Sequence, residues 1–232
     1  MNTSMDHLGS VRRHISGRLS SARTGGLPAA VWVAACIGLA PLCRAAADGP
    51  MEQLKTGVTE FISILRSDKP AAERRQGCYE VYKRNFDFVR MGRMTLKNDW
   101  KGLNDDQKRR FVDKYAQFVF EFYMGKLEKY NTENVEYLGV EEKSDKDKVV
   151  VQTRVPFGDG FAAVDYSMSL DNGKWLAYDV EVESIRLTTT YHTQFRDVLN
   201  KQGFDGLIAE LDKRIEQAKS GGTVDNPAAD TK

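Results

Sequence analysis

The stretch FAAVDYSMSLDNGKWLAYDVEVE, residues 161–183, decides the fold. Apolar and polar residues alternate on both sides of Asp171-Asn172-Gly173, the period of two shown by half-buried strands. A three-residue loop with Gly173 left-handed and a G1 bulge pairs Leu170 with Lys174, Met168 with Leu176, Tyr166 with Tyr178, Val164 with Val180 and Ala162 with Val182. Every inward pair is then apolar. A two-residue loop sets apolar against polar positions, so the bulged form is preferred. One face of this hairpin is therefore Val164, Tyr166, Met168, Leu176, Tyr178 and Val180. Asp165, Asp179, Glu181 and Glu183 fall on the other face and read as solvated.

Two more strands precede it, at about 134–142 and 148–156, joined by Ser144-Asp145-Lys146-Asp147 and Phe157-Gly158-Asp159-Gly160, both short turn chemistries. Val149, Val151 and Val155 extend the same apolar face. The result is a four-stranded antiparallel meander.

Helices flank it. Leu54, Val58, Phe61, Ile62 and Leu65 share one face of a helix over 51–66. Pro70 breaks the chain before a second helix at 71–84. Phe86-Asp87-Phe88 turns into a short helix at about 88–97. Asn104 with Gln107 forms a capping box that opens the longest helix, to about Tyr130. Its middle is apolar almost all round. Phe111, Tyr115, Phe118 and Phe122 make one stripe, and Val112, Ala116, Val119, Tyr123 and Leu127 another. So wide an apolar surface predicts burial on more than one side, between the sheet and other helices. After the meander come helices at about 187–201, ending at Gly203, and 204–218. The fold class is α+β, with N- and C-terminal helices packed on one face of a twisted four-stranded sheet.

The chain has 232 residues with 34 basic and 33 acidic side chains, a formal charge of +1. The first 47 residues carry five arginines and one acid, which leaves the rest at a net of −3. Such a body is unsuited to nucleic acid, which needs a cationic face. The same 47 residues read as a cleavable secretory signal: a basic region to Gly26, an apolar run LPAAVWVAACIGLAPL (27–42), then Ala45-Ala46-Ala47 before Asp48. Val33-Ala34-Ala35-Cys36 resembles a lipobox, but the apolar run continues past Cys36. Residues 48–219 form one domain, and 220–232, without periodicity, a tail. The mature chain keeps one cysteine, Cys78, so no internal disulfide forms.

Histidine argues by absence. Beyond the signal only His192 remains, too little for a zinc site or a nucleophile–histidine pair. No catalytic motif is present, and the chain reads as a non-enzyme without cofactor. Residues 83–110 hold nine basic side chains against four acids. This segment reads equally as a contact for a lipid phosphate or acidic partner and as a solvated helix surface.

One spaced series of residues carries more. It begins with Phe86-Asp87-Phe88, Met91-Gly92-Arg93, Trp100, Gln107, Phe111, Tyr123, Leu127 and Tyr130. It continues with Asp165-Tyr166, Gly173-Lys174-Trp175 and Tyr178-Asp179-Val180. Tyr191, Gln194-Phe195 and Gly203-Phe204-Asp205-Gly206-Leu207 close it. The series resembles the MlaC, or toluene-tolerance, family of phospholipid-binding proteins, from about residue 51 to 215. Three places depart from the family pattern. Leu96-Lys97 stands where Leu-Gly is usual, Ser184-Ile185-Arg186-Leu187 for Gly-x-Ser-Leu, and Thr190-Tyr191-His192 for Asn-Tyr-Arg.

The resemblance implies a cone-like fold with an internal apolar cavity. It implies a periplasmic carrier that shields a phospholipid's acyl chains and shuttles it between membranes, maintaining outer-membrane lipid asymmetry. The implied partners are an outer-membrane lipoprotein–porin complex and an inner-membrane ABC transporter with an MCE-domain subunit. Shielding some thirty methylenes is worth on the order of 20 kcal/mol, which makes a cavity the chief requirement. The candidate lining is Val151, Val164, Tyr166, Met168, Leu176, Tyr178 and Val180 from the sheet. The helices would add Met91, Met94, Phe118, Phe122, Tyr191 and Phe195. A carrier of another lipid such as a hopanoid, a filled-core adaptor, and an enzyme with a carboxylate inside the cone are the rival readings.

Overall fold

The computed structural model describes residues 49–128, 134–157 and 160–221. The expected signal at 1–47 and residues 222–232 of the expected tail lie outside the described residues. The elements run α1 (Pro50–Leu65), α2 (Ala71–Asn85), α3 (Phe88–Leu96), α4 (Asp99–Gly102), α5 (Asp105–Leu127), β1 (Glu136–Glu142), β2 (Lys148–Phe157), β3 (Gly160–Asp171), β4 (Lys174–Val182), β5 (Ile185–Arg186) and α6 (Leu187–Lys219).

The helix boundaries follow from local chemistry. Pro50 sits in the first turn of α1, where its missing N–H costs nothing. Asp87 caps α3 by accepting from Arg90 N–H at 2.9 Å. Asn104 and Gln107 cap α5 reciprocally, at 2.9 and 3.0 Å. α6 kinks where expected, at Gly203, whose φ of 69° and ψ of −170° interrupt the helix.

The sheet is an antiparallel meander in the order β1-β2-β3-β4-β5. It has one strand more than expected, the two-residue β5, which pairs Ile185 with Val182. Neighbouring Glu183 and Ser184 turn the chain with φ of 49° and 66°. The β3–β4 register also differs from expectation. The loop has two residues, Asn172 and Gly173, both at positive φ (48° and 82°), as in a type I′ turn. Asp171 therefore opposes Lys174, Leu170 opposes Trp175, and Met168 opposes Ala177. A bulge then inserts Tyr178, after which Tyr166 opposes Val180 and Val164 opposes Val182. The inward face of β4 thus reads Trp175, Ala177, then Val180 and Val182. The extra residue resets the phase, which unbroken alternation cannot anticipate.

One carboxylate of the outer face is buried, against expectation. Asp179, expected on a solvated face, is 1% exposed. It lies under the first turn of α6 and accepts hydrogen bonds from Thr188 N–H at 3.2 Å and Val180 N–H at 3.0 Å.

Two contacts pin the N-terminal helices to the sheet. Gln53 donates to Trp175 O at 2.7 Å and accepts from Trp175 N–H at 3.0 Å. Asp87 N–H donates to Ala177 O at 2.8 Å, beside an isolated bridge between Phe86 and Ala177. α5 is buried on several sides, as its composition predicts. Phe111, Tyr115 and Phe118 pack on Tyr191 and Phe195 of α6 through ring contacts of 5.2–6.4 Å between centroids. Its neighbouring stripe faces the sheet across a space that the protein does not fill.

Candidate binding cavity

That space is a cavity of about 500 Å³, within the range of small-molecule sites. Its sheet wall is Val155, Ala162, Val164, Tyr166, Met168, Ala177, Val180 and Val182. The opposite wall is Val119, Phe120, Tyr123 and Met124 of α5. Leu54, Val58, Phe61 and Ile62 of α1 close one side, with Val81, Tyr82, Phe86, Met91 and Leu187 beyond them. Met91, Ala177 and Leu187 are almost wholly buried, whereas Phe161 is 45% exposed. The cavity therefore opens at the rim formed by Phe161, Pro156, Val135, Lys126 and Leu127.

Three polar side chains around it are engaged with the protein, whereas the buried Tyr82 hydroxyl has no hydrogen-bond partner. Asn85 donates to Val81 O at 2.7 Å, Gln53 holds the Trp175 backbone, and Glu183 accepts from Ala163 N–H. Burial pushes the Tyr82 and Tyr166 phenols well above their usual range, so both stay neutral. The wall presents no ionised group until the rim. There Lys126 lies 4.6 Å from the Phe122 ring and Arg154 4.7 Å from the Phe161 ring. Such a surface can hold an apolar body. Among the described residues, no three His, Cys, Asp or Glu side chains come close enough to hold a metal ion. Cys78 is buried and its thiol is pushed up to about 11 by desolvation.

Five of the residues expected to line a cavity do so: Met91, Val164, Tyr166, Met168 and Val180. The other eight sit elsewhere, each for a physical reason. Phe118, Phe122, Tyr191 and Phe195 belong to the closed aromatic core between α5 and α6. Met94, one turn on from Met91 in α3, is half-buried and does not reach the cavity. Val151 is fully buried in the cluster formed with Leu54, Val149 and Trp175. Leu176 opposes Ser169 on the outer face, because the two-residue turn shifts the register. Tyr178 is the bulged residue, and the Arg90 guanidinium stacks on its ring at 3.7 Å.

The α5 wall was visible in the sequence as the second apolar stripe, Val119, Tyr123 and Leu127. It lies one step around the helix from the stripe containing Phe118 and Phe122. The contributions of α1 carried the signal of an amphipathic face, but nothing local tells a packed face from a cavity wall.

The fold and the site define an α+β protein whose sheet and helices enclose an apolar cavity open at one rim. The sequence profile of the MlaC protein family matches residues 55–213, and the chain belongs to that family. The toluene tolerance protein Ttg2D of Pseudomonas putida is 25% identical over 199 residues, covering 80% of this chain and 89% of its own length. The intermembrane phospholipid transport system binding protein MlaC of Haemophilus influenzae is 19% identical over 130 residues, 54% of this chain and 61% of its own. The fold matches the phospholipid-binding protein of Ralstonia solanacearum, solved with a phospholipid bound, at a TM-score of 0.67 and 24% identity, covering 74% of this chain and 99% of that one.

Proposed function

We propose that this protein is a periplasmic phospholipid carrier. The apolar cavity between the sheet and α5 carries the reading: its wall is predominantly hydrocarbon and aromatic. Acyl chains entering it would exchange water for Met91, Val164, Tyr166, Met168 and Val180, with Phe120, Tyr123 and Met124 opposite. At about 0.8 kcal/mol per buried methylene, chain burial supplies the affinity without any directional contact. The polar head would remain at the rim, near Lys126 and Phe161. Carriage needs no catalytic residue and no cofactor; the phospholipid is cargo.

In this reading the first 47 residues export the chain and are removed. The carrier then moves lipid between an outer-membrane lipoprotein–porin complex and an inner-membrane ABC transporter with an MCE-domain subunit, which maintains outer-membrane asymmetry. Membership of the MlaC family and the names of the relatives support this route. An adaptor with a filled core would have no use for so large an apolar void.

Native mass spectrometry of the chain purified from a bacterial periplasm tests the proposal. The expected result is an added mass that fragments to a glycerophospholipid. A mass matching a hopanoid would change the cargo, and an unliganded chain that also fails to take up added phospholipid would end the carrier reading.

A further inference from the structure

The basic residues of 83–110 divide into two groups once their neighbours are known. Arg84 pairs with Glu60, Lys108 with Asp105, Arg109 with Asp106, and Arg110 with Asp205. Lys83 and Arg90 lie over the rings of Tyr79 and Tyr178. Arg93, Lys97 and Lys101 are exposed and form no ion pair among the described residues. Val89, one turn before Arg93, is 60% exposed. The single acid between Val89 and Lys101 is Asp99, so α3 and α4 present a cationic face with an apolar side chain at its edge.

The backbone marks one of these cations. Lys97 closes α3 at φ 50° and ψ −116°, with its N–H donating to Arg93 O at 2.9 Å. Glycine takes up that conformation freely and a residue with a Cβ does not. The turn itself asks only for glycine, yet the chain holds a lysine there and points its charge outward.

The place of this face is equally informative. A Cβ on Gly92 would lie 3.3 Å from Phe111 and 3.4 Å from Val112, so α3 crosses α5 at that level. The cavity rim lies at Lys126 and Leu127, some fifteen residues further along α5, roughly 20 Å at 1.5 Å per residue. A bilayer that exchanged lipid with the cavity would have to face the rim, not α3.

We propose that Val89, Arg93, Lys97 and Lys101 form a docking surface for an acidic protein surface, which grips the molecule at the end away from the cavity rim. The partner would thus be held while the rim stays open. Charges in such a surface act mainly on the rate of encounter and on its salt dependence. The inference rests on the carrier reading for its choice of probes, the purified periplasmic domains of the MCE subunit and of the outer-membrane lipoprotein.

The test compares the unaltered chain with an Arg93→Glu, Lys97→Glu, Lys101→Glu triple variant and a Lys97→Gly single variant. Association with each probe is measured at low salt and at 1 M salt, alongside binding to phosphatidylglycerol vesicles. The triple variant should associate at least tenfold more slowly with at least one probe at low salt. The gap should close at 1 M, where the Debye length is about 3 Å. Lys97→Gly should raise the thermal midpoint while slowing association about threefold, a combination that a purely structural role for Lys97 does not produce. Unchanged association of the triple variant with both probes overturns the proposal. So does a loss of vesicle binding with protein association intact, which would make the face a membrane surface. Lipid content, read by mass spectrometry on the same samples, reports separately on the carrier reading.

Discussion

The Asp179 carboxylate, from the middle of β4, accepts the Thr188 hydroxyl at 2.7 Å and the Thr188 N–H at 3.2 Å. A sheet residue thereby caps a helix, because Arg186 at the N-cap of α6 offers no side-chain acceptor. Asp179 lies on the sheet face opposite Val180, and α6 starts over that face, where its first turn can be satisfied. Burial raises the Asp179 carboxyl above its ordinary 3.8, against the opposing pull of Thr188, Arg186 and Val180 N–H.

Removing this cap should be costly. Asp179→Ala leaves Thr188 N–H and its hydroxyl without their acceptor, an expected loss of about 2–3 kcal/mol in urea unfolding. Asp179→Asn keeps an acceptor and should lose less. The pH dependence follows from the raised carboxyl. Its contribution is fully present below pH 3.8, where folded and unfolded chains are both protonated, and is lost as pH rises through the raised folded value. Unaltered protein should therefore lose stability relative to Asp179→Asn across that window, and the difference should be flat above it. A gain in stability of the unaltered protein over Asp179→Asn as pH rises through that window would refute the sign.

Ser184 stands at φ 66° in the turn between β4 and β5, where a type I′ turn favours glycine. Ser184→Gly should stabilise the protein by about 1 kcal/mol, measured by chemical denaturation. Ser184→Ala, which keeps a Cβ, should bring no gain. Equal effects from the two would show that the hydroxyl, and not the backbone, sets the cost.

Val164 and Phe118 separate cavity from core. Val164→Trp should fill space, lower lipid content per folded protein and leave stability within about 1 kcal/mol. In a filled core the same change would cost about 1–3 kcal/mol. Phe118→Ala should cost about 3–5 kcal/mol and leave the lipid content of the folded fraction unchanged. The pairing fails if the two variants exchange phenotypes.

The Tyr82 and Tyr191 hydroxyls are buried without a hydrogen-bond partner, whereas Tyr115 OH meets Thr95 Oγ1 at 3.3 Å. Tyr82→Phe and Tyr191→Phe should be neutral or stabilising by up to about 1 kcal/mol, and Tyr115→Phe destabilising by a similar amount. Thermal unfolding of the three variants decides it. A loss on Tyr191→Phe would point to a bridging water.

The order of elements was legible in the sequence because several boundaries are chemically marked: Pro70, Asn104 with Gln107, and Gly203. The hairpin partners were legible too, but the register was not. Asn172-Gly173 admits both a two-residue and a three-residue loop, and the choice depends on a bulge five residues away. The two-residue turn exchanged Leu176 and Tyr178 for Trp175 and Ala177 on the inner face, and the bulge kept Val180 and Val182 there. The cavity wall was partly legible, since a period of two on β3 fixes Val164, Tyr166 and Met168 together. Which stripe of α5 faces the sheet depends on where α6 docks, and α6 reaches α5 only through long-range packing.

The void between α5 and the sheet has a thermodynamic consequence for the whole molecule. A cargo lying there would be a removable layer of the hydrophobic interior. Loading and folding would then be linked by mass action, at about 2.7 kcal/mol for a ligand at a hundred times its dissociation constant. The emptied protein would carry an internal volume that unfolding eliminates, which is the condition for sensitivity to hydrostatic pressure. Delivery of the cargo would leave a protein more compressible, and more easily unfolded under pressure, than the one that arrived.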